Sequence, residues 1–349
     1  MPDTTRHKRR MRGALAAVAA ALLLGASVYL TGELRKDRAV PSPPVVADKA
    51  TARASDSALT YERLSDPNRT VARGGDGSVV ASFTDGARTA VLAGPVRTFT
   101  EARFTKAKVV TDRWVRLLPR PWTAGAEKAR WFTVWFDAER TSTEPDLMAF
   151  AHEYLYGAKL KKDAQGAAYA GDASFGPVNP DPTGDKRLEE SDFYDYLGIP
   201  YTFRDGTTVQ PDKSRYRALD CSGYMRLILG YRARFPLAPS DTAGDGLPRT
   251  SNAMARSKVG VDILALTGQR PRSLGKLQPG DLVFFEIDAR TGPRLDHVGM
   301  YMGLDTDGKP RFVSSREEAD GPTFGDLGGT ARLDGNGFYA SGLRSAKRL

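Results

Sequence analysis

The sequence contains very little cysteine and histidine. Its 349 residues include one cysteine, Cys221, and three histidines, His7, His152 and His297. A lone thiol cannot close a disulfide within its own chain, and these scattered side chains cannot supply the ligands of a usual zinc site. We therefore expect no metal and no cofactor. Cys221 is then either a small buried apolar residue or a reactive thiol.

The sequence also lacks a basic surface of the kind that binds nucleic acids. The net charge is +9, but residues 1–38 carry eight Lys/Arg against three Asp/Glu, whereas residues 190–349 carry 22 against 20. The excess positive charge is thus concentrated in an N-terminal arm, and no stripe of basic residues alternates with aromatic ones. We expect no nucleic-acid partner.

The N-terminus predicts a membrane anchor. A basic cluster at residues 6–12 precedes eighteen uncharged residues, 13–30. This run exceeds a usual signal-peptide core, approaches the shortest spanning length and lacks a clear cleavage site, which favours an uncleaved helix. Residues 1–34 would then be a basic cytoplasmic arm and signal-anchor helix, and 35–57 a proline-containing linker. The rest would be extracytoplasmic, either tethered to the membrane or, if the signal is cleaved, secreted.

Residues 58–182 predict a β-rich domain of unknown role. Short β-prone runs punctuated by turn residues occupy 78–83, 89–93, 96–100, 114–118 and 131–136. An amphipathic helix is predicted over 147–160, which contains His152 as a structural residue. Prolines and a glycine at 172–183 mark the connection to a second domain, 183–349.

The only cysteine lies at the predicted start of a helix. Apolar residues recur at three- and four-residue spacing over 224–231, and Asp220 is a suitable N-cap just before Cys221. The positive end of a helix stabilises an anion, so we expect the pKa of the thiol to be lowered.

His297 is the natural base for such a thiol. His7 lies in the arm and His152 in the first domain, so only His297 remains. It begins a predicted strand, 297–304, with Val298, Met300, Met302 and Leu304 on one apolar face. A satisfied core histidine is the alternative, but the order of motifs favours catalysis.

Five motifs follow one another in this second domain. They are Leu-Gly-Ile-Pro-Tyr at 197–201, Asp-Cys-Ser-Gly at 220–223, Leu-Pro-Arg at 247–249, Pro-Gly-Asp-Leu-Val-Phe-Phe at 279–285 and His-Val-Gly at 297–299. Over about residues 190–345 the sequence resembles the NlpC/P60 family of cell-wall cysteine peptidases. The resemblance implies a papain-like α+β fold, in which the helix bearing the nucleophile packs on an antiparallel sheet.

The resemblance also implies a function and a set of site residues. It implies hydrolysis of peptide bonds in peptidoglycan stem peptides, with Cys221 as nucleophile and His297 as base. Tyr201 would bind the substrate or the oxyanion through its hydroxyl, and Asp220 and Ser222 would contribute to substrate binding.

The third catalytic residue departs from the family pattern. The family places a polar residue, often histidine, on the next strand, where this chain has Phe312-Val313-Ser314-Ser315. Ser314 takes that position, although a hydroxyl polarises an imidazole less than a charged group does. If Leu304 pairs with Arg311, Glu318 falls opposite His297 instead, and a dyad without a third residue is the remaining possibility.

Two other functions remain open at this point. An amidase or acyltransferase on the same scaffold would use the same thiol and imidazole. A weakly active binding or assembly factor of the envelope is compatible with the absence of the usual third histidine.

Overall fold

A five-stranded antiparallel sheet forms the start of the described chain. The computed structural model describes residues 59–242 and 244–349, so the predicted arm, signal-anchor helix and linker lie outside the described residues. The strands, adjacent in chain order, are β1 (Thr60–Leu64), β2 (Arg69–Arg73), β3 (Val79–Thr84), β4 (Thr89–Thr100) and β5 (Lys108–Leu117). The β-rich character of this region is confirmed. Among the described residues, no helix has the length and apolarity needed to cross a membrane.

The aromatic run at 131–136 is helical, so the strand predicted there is wrong. Helix α1 (Arg130–Glu139) buries Phe132 and Phe136, which are four residues apart, against Phe83 and Trp122. Aromatic side chains favour strands, but their helical spacing here directs two rings into one core. Phe83 stacks on the fully buried Trp122 with 4.5 Å between ring centroids.

The predicted helix at 147–160 is shorter than expected. Helix α2 (Leu147–His152) begins at the N-cap Asp146, whose Oδ1 accepts a hydrogen bond of 2.9 Å from the N–H of Ala149. The chain then turns through Gly157, whose φ of 76° lies in the left-handed region that ends helices. The buried ring of His152 stacks on Phe99 at 4.2 Å, in keeping with its predicted structural role.

Short elements lead to the helix that bears Cys221. They are β6 (Lys161–Lys162), β7 (Ala168–Ala170), α3 (Phe193–Leu197), β8 (Tyr201–Thr202) and β9 (Thr208–Val209). Helix α4 (Cys221–Arg226) continues as a π-helix (Leu227–Arg232), which confirms the predicted helix, and α5 (Ser251–Arg256) follows. Single 3-10 turns occupy Ala126–Lys128, Lys213–Arg215 and Ala289–Thr291.

A six-stranded antiparallel sheet carries α4. Its strands are β10 (Val261–Leu264), β11 (Leu282–Phe285), β12 (His297–Leu304), β13 (Pro310–Arg316), β14 (Gly321–Thr323) and β15 (Leu343–Arg348), with α6 (Phe338–Gly342) before the last. They lie in the order β10-β15-β11-β12-β13-β14, and α4 packs against β12 and β13. The predicted mixture of helix and sheet is therefore confirmed.

The alternation predicted for β12 is correct except at its end. Val298, Met300 and Met302 are fully buried, whereas Leu304 is 43% exposed. Leu304 pairs with Pro310 beside the hairpin turn, where the sheet no longer covers it. The apolar face that packs under the site is thus three residues long.

Side chains from both sides of the predicted boundary at residue 182 share one core. Val115 of β5 and Val298 of β12 belong to the same buried cluster. Gly280, at φ 92°, lies so close to Val115 that an added Cβ would be 2.5 Å from its Cγ1. Residues 59–349 belong to one compact unit. The division into two domains at residue 182 stays a prediction from the sequence.

A buried ion pair fastens the last strand to both sheets. Arg348 donates through Nε and Nη2 to the two carboxylate oxygens of Asp281, each at 2.8 Å, and through Nη1 to the hydroxyl of Thr84 in β3. Arg348 and Asp281 have side chains 2% and 1% exposed. Removing one partner of such a pair leaves the other charge buried and uncompensated.

Arg348→Ala is therefore expected to lower the free energy of unfolding by about 3–5 kcal/mol. Arg73→Ala is the matched control, because its partner Glu62 is 46% exposed and such surface pairs contribute less than about 1 kcal/mol. Urea denaturation followed by tryptophan fluorescence measures both. Equal losses for the two variants would contradict this assignment.

Candidate active site

Cys221 is the first residue of α4, as predicted. The N-cap Asp220 has an extended backbone, and its Oδ1 accepts a 2.7 Å hydrogen bond from the N–H of Gly223. A Cβ on Gly223 would lie 2.2 Å from the carbonyl oxygen of Ser191, so glycine lets the helix start press against that segment. The thiol is thereby placed by the backbone of the first helical turn.

A buried network of charges holds this helix start. Arg249 donates to Asp220 Oδ2 at 2.6 Å and to Ser222 Oγ at 2.6 Å, while Ser222 Oγ donates to Asp220 Oδ1 at 3.0 Å. Behind them, Arg226 donates to both carboxylate oxygens of Asp192. The polar atoms of Asp220 and Ser222 are engaged in this network, which holds the helix start that bears Cys221. Their contribution to substrate binding stays a prediction.

Burial sets the protonation of Cys221. Its Sγ lies 3.9 Å from the carbonyl oxygen of Asp296, and the N–H of Val298 also points to it, so the thiol contacts the residues on either side of His297. Burial raises the pKa of the thiol well above its usual value, and the charges of Asp220 and Glu189 raise it further. The predicted lowering by the helix start is wrong, because desolvation outweighs it.

His297 is also buried and uncharged. Its ring packs beside Phe285 and Tyr339, with centroids 5.8 Å and 5.3 Å away. Its Nε2 is buried and has no hydrogen-bond partner among the described residues. Burial lowers its pKa to about 3, and the positive charge of Arg316 acts in the same direction. The thiol and imidazole are therefore both neutral in the free protein.

The register of β12 and β13 decides between the candidates for the third residue. Met300 pairs with Val313, and a bulge between Tyr301 and Gly303 shifts the pairing from that at the hairpin end. Continuing the register places Arg316, rather than Glu318, across from His297. The interpretation based on a Leu304–Arg311 pair is thus wrong, because Leu304 pairs with Pro310, the bulge shifts the register by one more residue, and β13 ends at Arg316.

Among the described residues, neither predicted third residue forms a hydrogen bond with the imidazole. Ser314 is fully buried, and its Oγ accepts a 3.1 Å hydrogen bond from Nε of Arg316. Glu318 lies beyond the strand and pairs with Lys186 at 2.5 Å, with 44% of its side chain exposed. Ser314 therefore supports Arg316 directly, and any effect that it has on His297 is indirect.

Arg316 is the site residue that the sequence interpretation missed. Its guanidinium stacks on Phe312 and Tyr339, and Nη1 donates to the carbonyl oxygens of Gly325 and Gly329. Its Nη2 is buried without a partner. The sequence did contain a signal for this residue. Arg316 follows Ser314 by two residues, so the two side chains lie on the same face of the strand, and His297 on the neighbouring strand shares that face.

His297 and Arg316 line a cleft of about 640 Å³, here called the His297 cleft. Its wall also includes Phe338, Tyr339 and the carboxylates of Asp185, Glu189, Asp288, Asp296, Glu317 and Glu318. Partial burial, together with the neighbouring carboxylates, raises the pKa of Glu189 to about 7. Cys221 contacts this wall at Asp296. Arg290 also lines the wall and pairs with Asp185 and Asp288, so the cleft is a carboxylate-rich groove that holds two arginines and a neutral imidazole.

Tyr201 is not brought to this cleft. It lies in β8, and its ring packs against Phe193 at 4.7 Å and Phe203 at 5.0 Å. Its contact with substrate or oxyanion stays a prediction. A second cavity, of about 680 Å³, is lined by residues including Leu197, Ile199 and Tyr216 and contains none of the predicted catalytic residues.

Comparison with known proteins identifies the part of the chain that carries this site. A sequence model of the NlpC/P60 family matches residues 198–321. A solved structure described as similar to lipoprotein, NLP/P60 family, from Staphylococcus aureus subsp. aureus Mu50 shares 19% identity with this chain at a TM-score of 0.23. That match covers 48% of this chain and 45% of the other. No curated protein matches the sequence.

The neutral state of the thiol is open to a direct test, because Cys221 is the only cysteine. Alkylation by iodoacetamide follows the thiolate fraction. With a raised thiol pKa and an imidazole uncharged above about pH 3, the rate should climb about tenfold per pH unit up to pH 9. A plateau between pH 5 and 8 would instead show a thiolate–imidazolium pair. Cys221→Ala controls for reaction elsewhere.

Proposed function

From the premise that residues 198–321 form an NlpC/P60 domain, we propose that the protein is a cysteine peptidase that hydrolyses peptide bonds in peptidoglycan stem peptides. One observation carries the proposal: the only thiol of the chain lies at a helix start and contacts the residues that flank His297, the one histidine on the cleft wall. A nucleophile and its base must lie within hydrogen-bond reach of each other, and this contact supports the pairing of Cys221 with His297.

In the proposed reaction His297 takes the thiol proton as Sγ attacks the scissile carbonyl carbon. The carbonyl oxygen becomes an oxyanion, which the free N–H groups of the first turn of α4 stabilise. His297 then returns the proton to the departing amine, which leaves a thioester on Cys221. Water, deprotonated by His297, hydrolyses the thioester and restores the thiol.

The neutral resting state constrains this sequence of steps. Since the pKa of Cys221 is raised and that of His297 is about 3, a free thiolate is not formed before substrate binds. Proton transfer must therefore accompany attack on the carbonyl or follow a change in charge inside the cleft. The acidic wall suits a substrate with a free amine, such as the side chain of a diamino acid.

We propose an extracytoplasmic location, tethered to the membrane through the predicted helix at residues 1–34 or secreted if that helix is cleaved. The substrate class supports this location, because peptidoglycan lies outside the cytoplasmic membrane. The choice between a tethered and a secreted protein depends on residues 1–34, which lie outside the described residues.

A second candidate is a weakly active binding or assembly factor. The observation that favours it is the buried Nε2 of His297, which has no acceptor among the described residues to orient the ring. An amidase or acyltransferase would use the same thiol and imidazole on a different bond.

Digestion of purified peptidoglycan, with mass spectrometry of the products, distinguishes these functions. The wild type should release fragments with new amino groups on stem peptides, whereas cleavage at the lactyl group would mean an amidase. Cys221→Ala, Cys221→Ser and His297→Gln should each lower the rate by at least about a thousandfold. More than about a tenth of the wild-type rate in either Cys221 variant would remove the thiol from the mechanism. Sedimentation without products would indicate binding alone.

Ser314→Ala and Glu318→Gln test the role of the next strand. Ser314→Ala should lower turnover on the order of tenfold, because Arg316 loses one hydrogen bond beside His297. Glu318→Gln should stay within about twofold of wild type, because its carboxylate pairs with Lys186 at the surface. A much larger loss for Glu318→Gln, measured in the same digestion assay, would restore that carboxylate as the orienting group.

A further inference from the structure

Arg316 is a buried cation with no carboxylate among its hydrogen-bond partners in the described residues. Its side chain is 2% exposed, and its hydrogen-bond partners among the described residues are neutral oxygens, namely the hydroxyl of Ser314 and the carbonyls of Gly325, Leu327 and Gly329. Nη2 has no partner. A buried guanidinium usually faces a carboxylate or phosphate, because desolvating an uncompensated charge is costly.

The carboxylates nearest in the fold are already engaged. Glu101 accepts hydrogen bonds from Thr323 and from the N–H of Phe324, and Asp326 from Arg311 and Thr105. Glu317 accepts from the N–H of Arg187, Glu318 from Lys186, and Asp220 from Arg249. Among the described residues no carboxylate therefore hydrogen-bonds Arg316, and Glu101 and Asp326 act on it only through their charge.

A second unpartnered atom lies on the same wall. Nε2 of His297 is buried without a hydrogen bond, and the strand register sets Arg316 across from His297. Both residues line the His297 cleft. Two polar atoms, from facing strands that line one cleft, are thus without a partner among the described residues.

We propose that a carboxylate of the substrate occupies this position and accepts hydrogen bonds from Nη2 of Arg316 and from Nε2–H of His297. The inference rests on the proposed function and names a feature of its substrate. The carboxylate would fix the imidazole tautomer with its proton on Nε2, which leaves Nδ1 free to accept the thiol proton. The substrate would thereby supply the negative group that the chain does not place beside its base.

The same contact reverses the electrostatic balance at His297. In the free protein Arg316 disfavours the imidazolium and Asp220 favours it, while Tyr339 and Cys221 are neutral neighbours. A bound carboxylate would offset Arg316 and favour the imidazolium that forms as the thiol is deprotonated. Substrates with a free carboxylate should thus react faster, and their amidated forms should be poor substrates.

Two synthetic stem-peptide fragments test this, identical except that the glutamyl α-carboxylate of one is a primary amide in the other. Wild type should prefer the carboxylate form in kcat/KM by about 10- to 100-fold, the range for a hydrogen bond to a charged group. Arg316→Gln should reduce that preference to within about threefold, and Arg316→Lys should keep part of it. Equal kcat/KM values for the two peptides with wild type would overturn the proposal.

A binding measurement separates this proposal from the peptidase activity itself. In the inactive Cys221→Ala protein, NMR should show the pKa of His297 rising when the carboxylate peptide is added and not when the amide is added. His152, whose ring bonds the carbonyl of Met148, is the internal control. If the pKa of His297 is unchanged with the carboxylate peptide bound, the proposal is overturned even if the enzyme is a peptidase. Because this measurement uses the Cys221→Ala protein, it can be made even if Arg316→Gln fails to fold.

Free acetate distinguishes the source of the carboxylate. If 100 mM acetate leaves the amide peptide a poor substrate, the carboxylate must be delivered by the substrate, as proposed. If acetate restores the rate on the amide peptide, the site accepts any small carboxylate, and the claim that the substrate supplies it is overturned.

Discussion

The ion pair between Asp220 and Arg249 is the interaction on which the site depends. Asp220 caps α4, and Arg249 holds the cap at 2.6 Å while also bonding Ser222. Burial opposes ionisation of Asp220, but Arg249 keeps its pKa below the usual range, so the cap remains charged at neutral pH. The Cys221 thiol is therefore positioned by an anchored helix start.

The surrounding burial explains the chemistry that this position allows. A buried thiol and imidazole disfavour separated charges, and the nearby positive charge of Arg316 further disfavours the imidazolium. A site of this kind is quiescent until the charge in its cleft changes. In our proposal a carboxylate of the substrate offsets the buried charge of Arg316, which links the burial of this arginine to function.

The sequence was informative where a local rule applied. Residue spacing predicted α4 and β12, and the sole cysteine and last available histidine identified the pair that the fold brings together. The prediction of a strand at Phe132 and Phe136 was wrong because, in an aromatic run, the β-propensity of the residues and their helical spacing favour different structures. Whether Glu318 or Arg316 lies across from His297 depends on the strand register, which includes a bulge between Tyr301 and Gly303. The pKa of the thiol depends on its burial in the folded protein. A linear sequence pattern specifies neither the bulge nor the burial.

Trapping the intermediate is the most direct test of the central claim that Cys221 carries the acyl group. Wild-type protein turning over a stem-peptide substrate is quenched in acid, and its peptides are weighed by mass spectrometry. The account predicts a peptide containing Cys221 whose mass is increased by the acyl part of the substrate. Release of the same products by protein already alkylated at Cys221, with no such adduct in the unmodified protein, would contradict it.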